Sequence, residues 1–258
     1  MKLNYKRTFL VGLAFLSICA FWQMYDNIIP LILQNTYHLG ETMTGAVMAL
    51  DNVLAIFLLP VFGTLSDKVH TKLGRRMPFI VSGTILAVIF MMLLPMIDNA
   101  EKARWGTGES FSNQVIFLAV LFFTLVSMGL YRSPAVALMP DVTPNHLRSR
   151  ANAVINLMGA VGGVYALIMI KVLVGKGETP DYLPLFASIA AVMAIAVGIL
   201  VMTIRENKLR EEVEKAEAAI AETIEEKAMA EGVEAVGEIE AVGDTGAVKA
   251  SDGKKQTG

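Results

Sequence analysis

Six long apolar runs, at 8–33, 43–66, 78–97, 113–139, 151–174 and 182–204, constrain this chain more than any other feature. A helix needs about 20 mostly apolar residues to cross the hydrocarbon core of a bilayer. Each run meets that length, so the chain is predicted to be an all-α membrane protein with six transmembrane helices. Composition agrees: 54% of the residues are hydrophobic and 18% are charged, and the charges gather between the runs. A secretory signal is a rival reading of the first run, because Lys2, Lys6 and Arg7 precede it. It fails because the apolar pattern continues well beyond the length of a signal core.

The connecting segments set the expected orientation. Lys2, Lys6, Arg7, Lys68, Lys72, Arg75, Arg76, Arg148, Arg150, Arg205, Lys208 and Arg210 fall on one side, whereas the other holds Lys102, Arg104, Lys171 and Lys176. Basic residues in short loops mark the cytoplasmic side, which places both termini in the cytoplasm and the bundle in the plasma (cytoplasmic) membrane. The segment 98–112 reads as an outer loop, with Trp105 at headgroup level. The net charge of −2 hides this asymmetry and gives no argument for nucleic-acid binding. Cys19 is the single cysteine, so no internal disulfide forms; it reads as a small packed residue.

Composition shifts abruptly after residue 204. Two regions are expected: a six-span bundle over 1–204 and an acidic cytoplasmic tail over 205–258. The tail begins in a Glu, Ala and Lys pattern with Leu209, Val213, Ala216 and Ile220 at helical spacing. From Gly232 onward it is expected to fray into disorder.

Polar side chains inside the runs carry the candidate chemistry, since an ionisable group in hydrocarbon costs a few kcal/mol or more and faces the bundle interior. Asp26 and Asp51 fall at similar depth in the first two, antiparallel spans. Two carboxylates close together in low dielectric do not both ionise cheaply, so the pair suits a proton or cation coupling site. The bland alternative puts Asp26 at the headgroups and Asp51 in a bond to a neighbouring helix. Arg132 lies in the inner half of the fourth span, beside Pro134, which is expected to interrupt the helix locally. It either snorkels to the interface or holds substrate. Trp22, Gln23 and Tyr25 neighbour Asp26 and offer the stacking and hydrogen bonds that a sugar needs; Asn156, with Asn152 one turn before it, is a further polar candidate in the fifth span. Gly159 and Gly163, with Gly162 between, read as a close-packing face. His38, His70 and His146 sit in loops without metal-ligand spacing. No catalytic constellation, cofactor site or metal site is expected, and an enzyme is not.

The loop over 63–79, GTLSDKVHTKLGRRMPF, is the most specific motif. Gly63, Leu65, Asp67, Gly74, Arg75 and Arg76 resemble the signature loop of the major facilitator superfamily, lengthened by four residues between Asp67 and Gly74. The longer form, with Ser66, Lys68, Pro78, Phe79 and Ile80, is similar to that of sucrose transporters and their glycoside, pentoside and hexuronide symporter relatives. The segment 132–163 is similar to the same group's fourth-to-fifth helix region. The resemblance implies that six spans form one half of a two-half transporter, here the N-terminal half, with the substrate site between the halves. It also implies a cytoplasmic gate of Gly63, Asp67, Gly74, Arg75, Arg76 and Asp141. The sodium site of melibiose-type members does not carry over, because Asp51 lies two turns before Leu59 and Pro60, and proton coupling is preferred.

The expected function is therefore cation (proton) coupled uptake of a sugar or glycoside by alternating access. The chain is read as a truncated or split half that needs a second six-helix half or a homodimer. The alternatives are a six-span scaffold or sensor acting through its tail, and a facilitator for an organic anion held by Arg132.

Overall fold

A computed structural model describes residues 5–104, 111–175 and 180–230. The expectations for Lys2, Trp105, Lys176 and the tract after Gly232 fall outside the described residues. Long helices account for nearly all the rest: α1 (Tyr5–Asn35), α2 (Glu41–Lys68), α3 (Met77–Ala103), α4 (Phe111–Asp141), α5 (Arg148–Leu173), α6 (Leu183–Thr203) and α7 (Glu206–Ala230). A short 3-10 turn, Asn145–Leu147, precedes α5. Helices α1 to α6 are long and apolar enough to span a membrane, and they coincide with the six predicted runs to within a few residues.

Neighbours in space are not neighbours in sequence. Helix α1 packs most extensively on α5, α3 on α4, and α6 on both α1 and α3, while α2 rests mainly on α4. Helix α1 is the central element. Val11, Ala14, Ile18, Phe21, Ile28 and Ile32 all lie in the core. By contrast, none of the apolar window of α2 is buried, and Val53, Ile56, Phe57 and Val61 face outward.

Small residues decide the α1–α5 contact. A Cβ at Gly162 would collide with the Leu16 backbone carbonyl, one at Gly159 would come 2.9 Å from Cys19 Sγ, and across the interface one at Gly12 would come 2.8 Å from Met158 Cγ. The close face is thus Gly159 and Gly162; Gly163, which the sequence pattern paired with Gly159, turns toward Gln23 instead. Without a hydrophobic force between helices in lipid, such close backbone packing is what holds them together. Gly162→Ala is expected to destabilise the bundle by about 3 kcal/mol or more, because the obstacle is backbone and α1 must move. Gly198→Ala on α6, which has open space around it, should lie between no change and a gain of about 1 kcal/mol. Thermal unfolding of the two variants in detergent checks the contrast, and equal midpoints would refute this account of the interface.

Two local expectations change. Helix α4 runs unbroken through Pro134. Helix α3 continues to Ala103, so Asp98 begins no loop and is fully buried. Its carboxylate accepts hydrogen bonds from Thr36 Oγ1 at 2.7 Å and Lys102 Nζ at 2.6 Å. Lys102 also donates to the Pro180 carbonyl at 2.7 Å and lies over the Tyr182 ring. A buried carboxylate is tolerable only when paired in this way, and the pairing ties α1, α3 and the approach to α6 together.

The chain divides into two compact units, Met1–Glu217 and Ala218–Gly258. The first unit extends past residue 204 because Glu206, Leu209 and Val213 are buried within it. Those two apolar residues are the start of the helical stripe seen in the sequence. Of the second unit, 218–230 is described and continues α7, with Ile220 and Ile224 exposed.

Candidate functional site

Residues flagged in the sequence meet in three places. The first is the basic end of the bundle, where the α2–α3 connection folds tightly. Thr71 and Gly74 pair through reciprocal backbone hydrogen bonds, and Gly74 adopts φ of +127°, a region that side chains avoid. This turn delivers Arg75 and Arg76 against the ends of α2 and α4. Arg76 donates from Nε to Asp141 Oδ2 at 3.0 Å, from Nη1 to the Gly63 carbonyl at 3.1 Å and to Ser66 Oγ, and pairs with Asp67 at 2.6 Å. Arg75 donates from Nη2 to Asp141 Oδ2 at 2.9 Å, with Asp67 3.5 Å from its Nη1. Burial alone would lower the Arg75 pKa; the Asp141 hydrogen bond and the charges of Asp141, Asp67 and Glu206 outweigh it and raise the value. Arg76 is only 5% exposed, and a buried charge of this kind is strongly destabilising once its partner is removed.

Glu206, which the sequence reading left in the tail, completes this cluster. Its carboxylate is 1% exposed and accepts the backbone N–H groups of Arg75 at 3.0 Å, Arg76 at 3.0 Å and Met77 at 3.1 Å. Helix α3 begins with Arg76 at its N-cap and no side-chain cap of its own. The first N–H groups of a helix need an acceptor and favour negative charge, and Glu206 supplies both from α7. A Cβ at Gly74 would collide with the Glu206 carboxylate, so the glycine is required by space as well as by φ. The signal that could have found Glu206 is its position, an acid directly after the sixth apolar run.

The second place is a cleft among α1, α2 and α4. Trp22, Asp51 and Arg132 line it, with Leu58, Leu125 and Gly129 around them. The guanidinium carbon of Arg132 lies 5.5 Å from the Trp22 ring centroid, within cation–π range. Arg132 therefore points into the bundle rather than to the interface. Its neighbours explain this: Tyr131, fully buried, donates to the Ala14 carbonyl at 3.0 Å and lies 2.7 Å from Ser17 Oγ, while Ser133 donates to the Leu59 carbonyl at 2.7 Å. One flank is pinned to α1 and the other to α2. Neither Tyr131, Ser17 nor Ser133 was singled out in the sequence, although the polar trio at 131–133 within an apolar run was visible there. The cleft encloses about 20 Å³, enough for roughly one water.

Asp26 is exposed on α1 and does not line this cleft. Asp51 accepts a hydrogen bond from its neighbour Asn52 at 3.0 Å. Tyr25 is buried, with its ring stacked on Phe21 and edge-on to Trp22. It supports Trp22 from within rather than presenting a face of its own.

The third place is a groove of about 380 Å³ between α1 and α5, lined by Gln23, Asn156, Cys19 and Gly163. Asn156 is exposed along it; Asn152, one turn earlier on the same helix, is exposed but does not line it. The structure thus separates the polar candidates into a cationic-acidic cleft and an amide-lined groove on either side of α1. Among the described residues no group of His, Cys, Asp and Glu could hold a metal ion.

The chain matches the family described as the Major Facilitator Superfamily over residues 5–241. Similar curated proteins include the sucrose transport protein SUT3 of Oryza sativa subsp. japonica, 26% identical over 137 residues, which is 50% of this chain and 27% of that protein. The sucrose transport protein SUC4 of Arabidopsis thaliana is 34% identical over 116 residues, 42% of this chain and 22% of that protein. The matched segments therefore span about a quarter of the length of these relatives.

Proposed function

Because the chain belongs to the Major Facilitator Superfamily and is thereby a membrane transport protein rather than an enzyme, we propose that it forms one body of a cation-coupled sugar or glycoside transporter. The observation that carries this reading is the gathering of Trp22, Asp51 and Arg132 in one intramembrane cleft. An indole offers an apolar face to a sugar ring, a carboxylate accepts from hydroxyls and a guanidinium donates to them. That is a recognition set for a polyol, and since the cleft itself has room for about one water, the solute would be met where these groups face the cavity closed by a second body. The sucrose transporters among its relatives support the same class.

Coupling falls to Asp51 with Asp26. An intramembrane carboxylate is a candidate carrier of the coupling cation, and Arg132 in the same cleft as Asp51 is the cation whose attraction a bound proton would replace. Proton coupling is preferred to sodium because Asp51 lies two turns before Leu59 and Pro60, away from the place that the sodium-site acids of melibiose-type relatives occupy.

A second six-helix body, within a longer polypeptide or from another copy, is needed. Asp26, Asn27, Asn52, Asn152 and Asn156 are all exposed on membrane-spanning helices. Exposed to lipid they would be costly; facing a watered cavity closed by a second body they are not. The outward faces of α2 and α5, including Phe57, Val61, Val161 and Val164, are the surfaces for that contact. In the proposed orientation both termini are cytoplasmic, and the cluster of Gly63, Asp67, Gly74, Arg75, Arg76, Asp141 and Glu206 is an inner gate latch. Its charges are paired in this state, and opening the gate requires their release.

The test is uptake of labelled disaccharide into proteoliposomes carrying the complete two-body transporter, with and without an inward proton gradient. Gradient-driven accumulation that a protonophore abolishes is the expected result. Uptake of organic anions with none of sugars would replace this reading with the anion facilitator that Arg132 alone favours.

A further inference from the structure

A second cleft opens at the same end of the bundle as the Arg75–Asp141 cluster, between the start of α1 and the α6–α7 junction. It encloses about 350 Å³, within the size range of ligand pockets. Lys6 and Arg7 line it from α1, and Arg205 and Lys208 from the other side. Glu212 is its one acidic wall residue, and that carboxylate is already engaged by Arg7 at 2.7 Å. Leu10, Ile204 and Leu209 form an apolar floor. None of these cations takes part in the Arg75–Asp141 cluster or in the Trp22 cleft.

We infer that this cleft binds the phosphate headgroup of an anionic phospholipid. Lys6, Arg205 and Lys208 beside the Arg7–Glu212 pair call for a multiply contacted anion. The shared chemistry is a phosphate, from lipid or from solution, and three observations favour lipid. The cleft lies where two membrane-spanning helices end, which is headgroup depth. Its floor is apolar, which suits a glycerol and upper acyl region and not inorganic phosphate. On the same helix ends Tyr5, Phe9 and Met202 stand exposed, Met202 by 88%, in position to meet acyl chains. Basic pockets between helices on the cytoplasmic side recognise such headgroups, and the assignment to the inner leaflet rests on the orientation proposed above.

The consequence is mechanical. A phosphate held jointly by Lys6 on α1 and by Arg205 and Lys208 bridges α1 to the start of α7. The same turn carries Glu206, which caps α3. Lipid binding therefore stabilises the docking of α7 and, through it, the capped form of the α2–α3 loop.

The experiment titrates the full chain in neutral detergent with phosphatidylglycerol, with phosphatidylcholine of the same acyl chains, and with inorganic phosphate, reading bound lipid by native mass spectrometry. Phosphatidylglycerol should bind at least tenfold more tightly than phosphatidylcholine and weaken with added salt. Arg205→Gln with Lys208→Gln should lower its affinity by about 25-fold, and Lys6→Gln by about fivefold, from the value of one surface cation near an anionic lipid. Lys72→Gln, an exposed cation elsewhere at this end, should change nothing. Equal binding of the two lipids, inorganic phosphate matching phosphatidylglycerol, or unchanged affinity in both the α1 and the α7 variants would overturn the inference. The titration involves neither solute nor insertion orientation, so its failure leaves the transport reading intact, and failed uptake leaves the lipid site intact.

Discussion

Glu206→Ala is expected to destabilise the bundle by about 3 kcal/mol, a larger effect than loss of any exposed charge on the molecule. The carboxylate is buried and accepts the N–H groups of Arg75, Arg76 and Met77. Leaving buried donors unsatisfied costs roughly 1 to 3 kcal/mol each in mutational data, and the positive end of α3 loses its counter-charge. The effects are not additive, since alanine leaves room for water to reach some of the donors. Glu206→Gln keeps an acceptor oxygen and should lose about half as much. Asp67→Ala is the contrast: its side chain is 46% exposed and Arg76 keeps its pairing with Asp141, so the loss should be about 1 kcal/mol or less, as for exposed pairs. Thermal midpoints in detergent order the three variants. Hydrogen exchange at the amides of 75–77 gives the local reading and should accelerate in Glu206→Ala alone. A melting midpoint for Glu206→Ala equal to that of Asp67→Ala would remove Glu206 from the latch.

The largest functional effect is expected at Asp51. In the assembled transporter Asp51→Asn keeps the shape of the cleft and one acceptor oxygen but cannot exchange a proton near neutral pH. Accumulation against a gradient should fall about a hundredfold or more, while downhill movement of solute continues. Arg132→Lys tests the other side of the cleft. Lysine keeps the charge but loses the planar group that lies over Trp22 and donates in a fork, so solute affinity should fall by ten- to a hundredfold with coupling retained. The two variants together separate a residue that carries the cation from one that holds the solute. Undiminished proton-driven accumulation by Asp51→Asn would sink the coupling assignment, and a double variant no worse than Arg132→Lys would place Asp51 outside the pathway.

Much of the basic-end cluster was legible because its members lie in one short motif. Gly63, Asp67, Gly74, Arg75 and Arg76 fall within the one motif that carries the resemblance, which runs from the last turns of α2 to the start of α3. Asp141 was legible only through resemblance, since it lies on another helix. Glu206 was not, because the acid-rich sequence that follows it disguised one structural carboxylate among many solvated ones. Only its burial distinguishes it from Glu211, Glu212 and Glu214. Likewise Arg132 read as a residue able to snorkel, and what turned it inward was the anchoring of Tyr131 to Ala14 and of Ser133 to Leu59.

The chain's hydropathy determined that six helices are long and apolar enough to span a membrane and roughly where each lies, because the cost of placing a backbone polar group or a charge in hydrocarbon is local and can be read residue by residue; it missed the last turns of α3, where a buried Asp98 is paired with Lys102. Its charge distribution distinguished the two ends of the bundle for the same reason. Which helices touch was decided by the tertiary structure alone. Lipid is as apolar as leucine, so an apolar face does not specify whether it meets lipid or protein. The choice fell to a few close approaches, Gly162 on the Leu16 carbonyl above all, and to buried polar pairs. These contacts join residues far apart in sequence, and they brought Trp22, Asp51 and Arg132 into one cleft and Glu206 onto the start of α3.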